Sequence, residues 1–172
     1  MTGRYAVGLD LSITSTGVCN AVGVTSTIRP PAGNGDRRLL DIVGGITLAV
    51  YGGGTERTGP VDLVVIEDLP THAHGAGITG MVHGAVRNFL NGVNAPYITI
   101  PPATLKKFAT GKGNADKHAM RMEAYKRAGV EFPNDDECDA WWLWQAGRHL
   151  LGGTELVLPA AHVGALAGLH LP

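Results

Sequence analysis

Hydrophobic and polar positions along the 172-residue chain switch between a two-residue and a near-four-residue period. Residues 4–10, Arg-Tyr-Ala-Val-Gly-Leu-Asp, read as a strand that ends in a carboxylate. Thr16-Gly17 predicts a turn, and the Val-, Thr- and Ile-rich stretch 18–29 predicts one or two further antiparallel strands. After a loop from Pro30 to Gly35, Asp36 is a candidate cap for a helix over 37–51. Leu39, Leu40, Val43, Ile46, Leu48 and Val50 would give that helix a broad apolar stripe. Beyond a second loop, Gly52 to Pro60, residues 61–67 (Val-Asp-Leu-Val-Val-Ile-Glu) are nearly continuously apolar. They suit a central strand buried on both faces, which also ends in a carboxylate.

His72 to Gly80 is a Gly- and His-rich loop, followed by a helix over 79–92 with Met81, Val82, Ala85 and Phe89 on its apolar side. Pro96 to Ile100 is a short strand stopped by Pro101-Pro102. Helices are predicted over 103–109, 115–128 and from Asp135 to Gly152-Gly153. Residues 154–172 are apolar but broken by Pro159, Gly164 and Gly168, and are expected to form a loosely attached tail or partner-binding arm. Strands first, then strands alternating with helices, define an α/β chain: a mixed sheet of about five strands, the first three antiparallel, flanked by helices. One domain is expected over 1–153, followed by the tail.

Composition adds little and excludes some classes. Hydrophobic residues make up 44% and charged residues 17%, the balance of a folded globular chain. No apolar stretch reaches the roughly 18 residues of a membrane span, and the N-terminus lacks a signal-peptide pattern. Cys19 and Cys138 match no paired metal-ligand spacing, and so few cysteines suit a reducing compartment, so a cytoplasmic location is expected. The net charge of −1 hides an uneven distribution. Lys106, Lys107, Lys112, Lys117, Arg121, Lys126 and Arg127 are 7 of the 14 basic residues and fall within 22 positions, opposed there only by Asp116 and Glu123. Such a patch neutralises phosphates when it faces a polyanion; it is equally what a solvated helix face carries.

The chemistry lies in the acids. Asp10 and Glu67 each end a predicted strand, and ligand sites of open α/β sheets lie at such ends. In Asn134-Asp-Asp-Glu-Cys-Asp139, positions 136 and 139 share one helical face. Asp10, Glu67, Asp136 and Asp139 together would repel one another unless cations intervene. Oxygen-only ligands suit Mg²⁺ or Mn²⁺, and two such ions about 4 Å apart promote phosphodiester hydrolysis. A purely structural reading also exists: acids in a first helical turn complement the dipole, and Asn134 with Glu137 fits a capping box. It accounts for Asp135, Asp136 and Glu137, but less well for Asp139, which shares its stripe with Trp142, Leu143 and Ala146. Asp135, four residues before Asp139, is an alternative to Asp136.

His72, His74 and His83 fit no strong zinc spacing and are expected on a flexible DNA-touching loop or in solvent. His118, beside Lys117, is a candidate phosphate contact. Trp141, Trp142 and Trp144 cover more than one face of the last helix. Core packing is the main expectation, with an exposed one free to stack on a base or join a dimer interface.

Taken together, these residues resemble the RuvC-type Holliday-junction resolvases of the RNase H-like nuclease superfamily, over about residues 4–151. Gly8-Leu9-Asp10 with Thr16-Gly17 is similar to the first-strand motif, Val65-Ile66-Glu67 to the second acidic strand, and Asp136-Glu-Cys-Asp139-Ala140 to the D-x-x-D-A helix. Leu105-Lys106 and Gly111-Lys-Gly113-Asn-Ala-Asp-Lys117 resemble the basic segment whose two lysines, here Lys106 and Lys117, approach the scissile phosphate. The resemblance implies an RNase H-like fold and a homodimer that nicks four-way DNA in pairs, with Asp10, Glu67, Asp136 and Asp139 holding two Mg²⁺ or Mn²⁺ ions and Lys117 assisting. Lys106, Lys107, Lys112, Lys117, His118 and Arg121 would contact DNA. Leu11-Ser12 replaces the family's Pro-Gly, and Asp68-Leu-Pro-Thr-His brings no wedge aromatic after Glu67. That divergence in a compact chain suggests a bacteriophage version with broader action on branched DNA. Two other readings compete: a branched-DNA binding protein with a degenerate site, and a sugar-kinase or actin-like ATPase, which needs two such domains and therefore a longer chain.

Overall fold

In a computed structural model of the chain, residues 4–53, 55, 56, 58–69 and 76–172 are described. Three strands come first: β1 (Ala6–Asp10), β2 (Thr16–Cys19) and β3 (Thr25–Ile28). Helix α1 (Arg37–Val50), strand β4 (Leu63–Glu67), helix α2 (Ala76–Gly92) and strand β5 (Tyr97–Ile100) follow in alternation. The chain then continues through α3 (Pro102–Thr110), α4 (Lys117–Ala128), α5 (Asp135–Leu150) and a short α6 (Ala160–Val163). The sheet order is β3-β2-β1-β4-β5. β1–β2 and β2–β3 pair antiparallel, and β1–β4 and β4–β5 parallel. This is the expected mixed sheet of five strands. The parallel β4 and β5 are each reached through a helix, as a parallel crossover requires.

Strand parity divides the core. Successive side chains of a strand face opposite sides. Val7 and Leu9 of β1 and Val64 and Ile66 of β4 therefore pack with Ile42, Ile46, Val82, Val86 and Leu90 of α1 and α2. Ala6 of β1 and Leu63 and Val65 of β4 face the other way, into a cluster built from α3, α4 and α5. By the same parity Gly8, Asp10 and Glu67 fall on the α5 side.

Helix α5 is buried on every side from Glu137 to Gly147, and glycines set how close it lies to the sheet. A Cβ on Gly8 would fall 2.0 Å from the Ala140 carbonyl oxygen and 2.5 Å from the Trp144 nitrogen. One on Gly17 would fall 2.1 Å from the Asp136 carbonyl oxygen, and one on Gly147 2.8 Å from the Ala6 Cβ. On its far side α5 packs its tryptophans: Trp141 and Trp142 meet edge to face at 4.9 Å, and Trp142 donates from Nε1 to the Met120 carbonyl at 3.2 Å. All three tryptophans are buried, so none is exposed for stacking.

Local corrections have clear causes. Thr16-Gly17 is not the turn but the start of β2. The fully buried Thr16 hydroxyl accepts from the Ser12 nitrogen and donates to the Ser12 carbonyl, so the chain reverses over residues 12–15. Asp36 makes no side-chain cap, because its own backbone is already helical. Of the α1 stripe, Leu40 and Leu48 are 70% and 74% exposed, and Ile42 and Ala49 take the buried positions instead. Asn134 does cap α5, its Oδ1 accepting from the Glu137 nitrogen at 3.0 Å. Glu137 does not complete a capping box. Its carboxylate accepts from the Thr25 and Thr27 hydroxyls, both at 2.7 Å, and ties α5 to β3. Burial raises the Glu137 pKa, but these bonds, one from Asn134 and the charge of Arg29 outweigh it, leaving the group below its ordinary value.

Residues 154–172 lie against α3 and the α5-side core. Leu166 is buried in that core, and Leu156, Leu158, Ala165 and Leu169 pack against the same cluster. The His162 ring nitrogen Nδ1 lies 3.0 Å from the Phe108 carbonyl, and its Nε2 covers the left-handed Gly111 that ends α3. The tail thus braces the α3–α4 corner.

Gly8→Ala is expected to cost about 3 kcal/mol or more, because backbone rather than flexible side chain meets the new methyl. Gly44→Ala, at an exposed helical position with nothing within 4 Å of the new methyl, should instead stabilise by about 0.5–1 kcal/mol. Urea unfolding of the two variants checks both signs.

Candidate metal centre

Asp10, Glu67 and Asp139 arrive from three elements, β1, β4 and α5, and one carboxylate oxygen from each lies within 4.8 Å of the others. Adjacent parallel strands of equal phase bring Asp10 and Glu67 to one sheet edge on one face. Asp139 comes down onto them because Gly17, the register partner of Asp10, lies under the Asp136 carbonyl one turn earlier in α5. Asp139 is 1% exposed. Its Oδ2 is ion-paired with the Lys117 ammonium, and its Oδ1 is buried with no hydrogen-bond partner among the described residues.

The electrostatics follow from burial and like charge. Burial, then Glu67 and Asp139, hold the Asp10 carboxyl well above its ordinary range, against a smaller opposing effect of Lys117. Glu67 is pushed up to about 7 by burial and by Asp139, with Lys117 and Lys106 working in the other direction. Asp139 is raised by burial despite its lysine. Burial disfavours the Lys117 cation, but Asp139, Asp10 and Glu67 outweigh it and raise its pKa. Only when all three carboxylates have lost their protons does one ammonium leave a double negative charge in this partly dry pocket.

A divalent cation fits that donor set. The ligands are all carboxylate oxygen, the charge of the ionised trio matches, and the Asp139 Oδ1 is a buried acceptor for which the described residues supply no donor. Thiolate ligation has no support, since both cysteines are buried and free, and burial pushes the Cys138 thiol up to about 12.

Asp136 stands just outside the trio. Its Oδ2 accepts a hydrogen bond from the Ser15 hydroxyl, and its charge still raises the pKa of Asp10 and Asp139. Asp135, the alternative at that end of the helix, is paired with Arg121 at 2.8 Å on the α4 side. Lys117 enters the cluster because α4 starts there, capped by Asp116, whose Oδ1 accepts from the Ala119 nitrogen at 2.8 Å. Lys106 on α3 is near enough to lower the Glu67 pKa. Lys107, Lys112 and His118, on the same stretch of chain, are exposed. His83, expected in a loop or in solvent, is instead buried on α2, its pKa lowered by burial and by Arg87. His72 and His74 lie outside the described residues.

Two features were missed in the sequence. Ser15 holds Asp136, a bond spanning 121 positions that no local pattern signals. Asp68, next to Glu67 but of opposite parity, faces α2, where Arg87 approaches it at 3.6 Å. The clue was available: His83 and Arg87 are four apart on one helical face, and Asp68 extends the strand by one residue.

This three-layer arrangement, with acids at the adjoining ends of β1 and β4 and a third on the covering helix, is the RNase H-like fold. Among solved structures the chain is similar to a Thermus thermophilus RuvC structure, with a TM-score of 0.69 and 16% identity over 90% of this chain and 100% of that one. It is also similar to T. thermophilus RuvC in complex with Holliday junction substrate, with a TM-score of 0.70 and 16% identity over 90% of this chain and 99% of that one. The likeness at this identity is one of fold. No family model and no curated protein sequence matches the chain.

The raised Glu67 carboxyl predicts a stability effect. Its folded pKa of about 7 lies above its ordinary 4.5, so between those values the folded state holds more protons than the unfolded one. Its stabilising contribution is complete below the lower value and is lost as pH rises through the upper one. Without metal, Glu67→Gln should therefore be about 1–2 kcal/mol more stable than the wild type at pH 8 and no more stable at pH 4. Mg²⁺ should stabilise the wild type more than the variant. Thermal melts at the two pH values, with and without Mg²⁺, measure both effects.

Proposed function

We propose that the protein is a metal-dependent endodeoxyribonuclease that resolves Holliday junctions or related branched DNA by paired nicks, acting as a homodimer in the cytoplasm. The observation that carries the reading is the convergence of Asp10, Glu67 and Asp139 from three elements around an unpartnered Asp139 oxygen, with Lys117 beside them. The T. thermophilus protein of the same fold, in its complex with Holliday junction substrate, supports the choice of branched DNA as substrate.

Asp10, Glu67 and Asp139 would hold Mg²⁺ or Mn²⁺, with Asp136, one step away under Ser15, completing a set for two ions. When bound, such ions lower the pKa of a bound water and stabilise the leaving oxygen of a phosphodiester. The chain's own groups do the rest. Lys117 offers its ammonium to the scissile phosphate from the edge of the acidic pocket, and Lys106 sits within electrostatic reach of Glu67. Lys107, Lys112 and His118 are exposed and extend the positive surface along which a phosphate backbone would run. Asp135 fixes Arg121 beside that surface. Because Glu67 holds its proton up to about pH 7, a metal ion must displace that proton, and metal affinity rises with pH through that value.

Purified protein with Mg²⁺ or Mn²⁺ should cut a synthetic four-way junction at symmetric positions. Asp10→Asn and Glu67→Gln should abolish cutting and keep junction binding. Lys117→Ala should lower the cleavage rate by about 10²-fold or more. Normal cutting by the carboxamide variants would overturn the site assignment. Junction binding without cleavage in every metal would favour a branched-DNA binding protein with a degenerate site.

A further inference from the structure

Helix α4 starts at Lys117 in the acidic pocket and runs away from it, and its outer face carries features that metal chemistry does not use. Met122 and Tyr125 are 37% and 53% exposed. Together with His118, Arg121, Glu131 and Phe132 they line an open cleft of about 550 Å³ between α4 and the segment entering α5. That volume lies within the range of small-ligand sites, about 300–1,000 Å³. We infer that this cleft is a binding site for one unstacked nucleobase of the bound DNA, with Tyr125 as its stacking surface. The inference rests on the proposed action on branched DNA.

The wall chemistry selects a base over a phosphate. Tyr125 offers an exposed ring, and Met122 one helical turn before it a polarisable side chain. Arg121 is anchored by Asp135 at 2.8 Å, so its guanidinium is held in place with part of its surface open, a fixed flat cation of the kind that stacks on bases. Phe132 closes the floor and is itself backed by Trp141 at 5.7 Å between ring centroids. Glu131, exposed at the rim, repels a phosphate but accepts hydrogens from the amino edge of a base.

The backbone has its own track next door. An adjoining cleft, sharing His118 and Met122 with the first, is lined by Lys112 and Lys126 together with Asp116 and Glu123, and Glu123 pairs with Lys126 at 3.4 Å, which leaves Lys112 as its cation without an acid partner among the described residues. A strand whose phosphates follow that track would present a base to Tyr125. Tyr125 is eight residues along α4 from Lys117, a distance of about 12 Å at the helical rise, so the base engaged is not the one at the scissile phosphate.

The test uses the full-length protein and a four-way junction in EDTA, so that binding is read without cleavage. Tyr125→Leu, which keeps an apolar side chain but removes the ring, should weaken junction binding about tenfold and leave linear duplex binding unchanged. Tyr125→Phe should bind like the wild type. With 5-iododeoxyuridine substituted at successive positions near the branch, irradiation should crosslink one position to Tyr125. If Tyr125→Leu binds the junction as tightly as the wild type, or if the crosslinks map only to residues outside the cleft, the inference is wrong while the nuclease reading stands. If the wild type binds no branched DNA, both fail.

Discussion

The close approach of α5 to β1 and β2 is the constraint on which the rest depends. Gly8 and Gly17 have backbone of α5 where any side chain would have its Cβ, so the helix lies directly on two strands. That contact sets the height of Asp139 above the sheet edge and its phase around the helix axis, and thereby its distance from Asp10. It also fixes the direction of Trp142, which points outward onto Phe108 of α3 and Met120 of α4. α4 packs on the far side of α5, and its first residue, Lys117, reaches Asp139. Acid trio and lysine thus come from a stack of layers registered by two missing side chains.

The stack places like charges together at a cost. Asp10, Glu67 and Asp139 are each held above their ordinary pKa values, mainly because burial strips water from them. Lys117 relieves only part of the repulsion. A site of this kind is poised for a cation, and the tuning is local: a few ångströms away Asp136 is occupied by Ser15, and Asp135 by Arg121. Around the trio, neighbouring acids are each given a hydroxyl or cationic partner, whereas one oxygen of Asp139 is left with none.

Beyond the pocket, basic side chains follow one another on consecutive elements. α3 carries Lys106 and Lys107, the loop after it Lys112, and α4 Lys117, His118 and Arg121. The C-terminal segment braces this corner through His162 and Leu166. The apolar residues 154–172 thus brace the corner that carries these basic side chains, a role that composition alone hides.

Much of the fold was legible because strand and helix periods are local properties. The five strands, the helix-alternating order and the last helix follow from spacing, and Asp10 and Glu67 announce themselves as acids at the ends of apolar strands, while the register that puts them side by side belongs to the sheet. Asp139 was legible from its apolar neighbours on one helical face. The turn at 12–15 went astray because it depends on hydrogen bonds of the Thr16 hydroxyl across a short loop, and the Asp36 cap because the backbone of Asp36 is itself helical. Four matters lay beyond any local reading. These are the distance between the three acids, the diversion of Asp136 to Ser15, the burial of His83, and the exposure of Leu40 and Leu48 within an otherwise apolar stripe. The sequence by itself determined which residues could be ligands, because charge and periodicity belong to the chain. Only the tertiary structure decided which of them meet, because that depends on how closely a helix can lie on a sheet, a matter of excluded volume between segments more than a hundred residues apart.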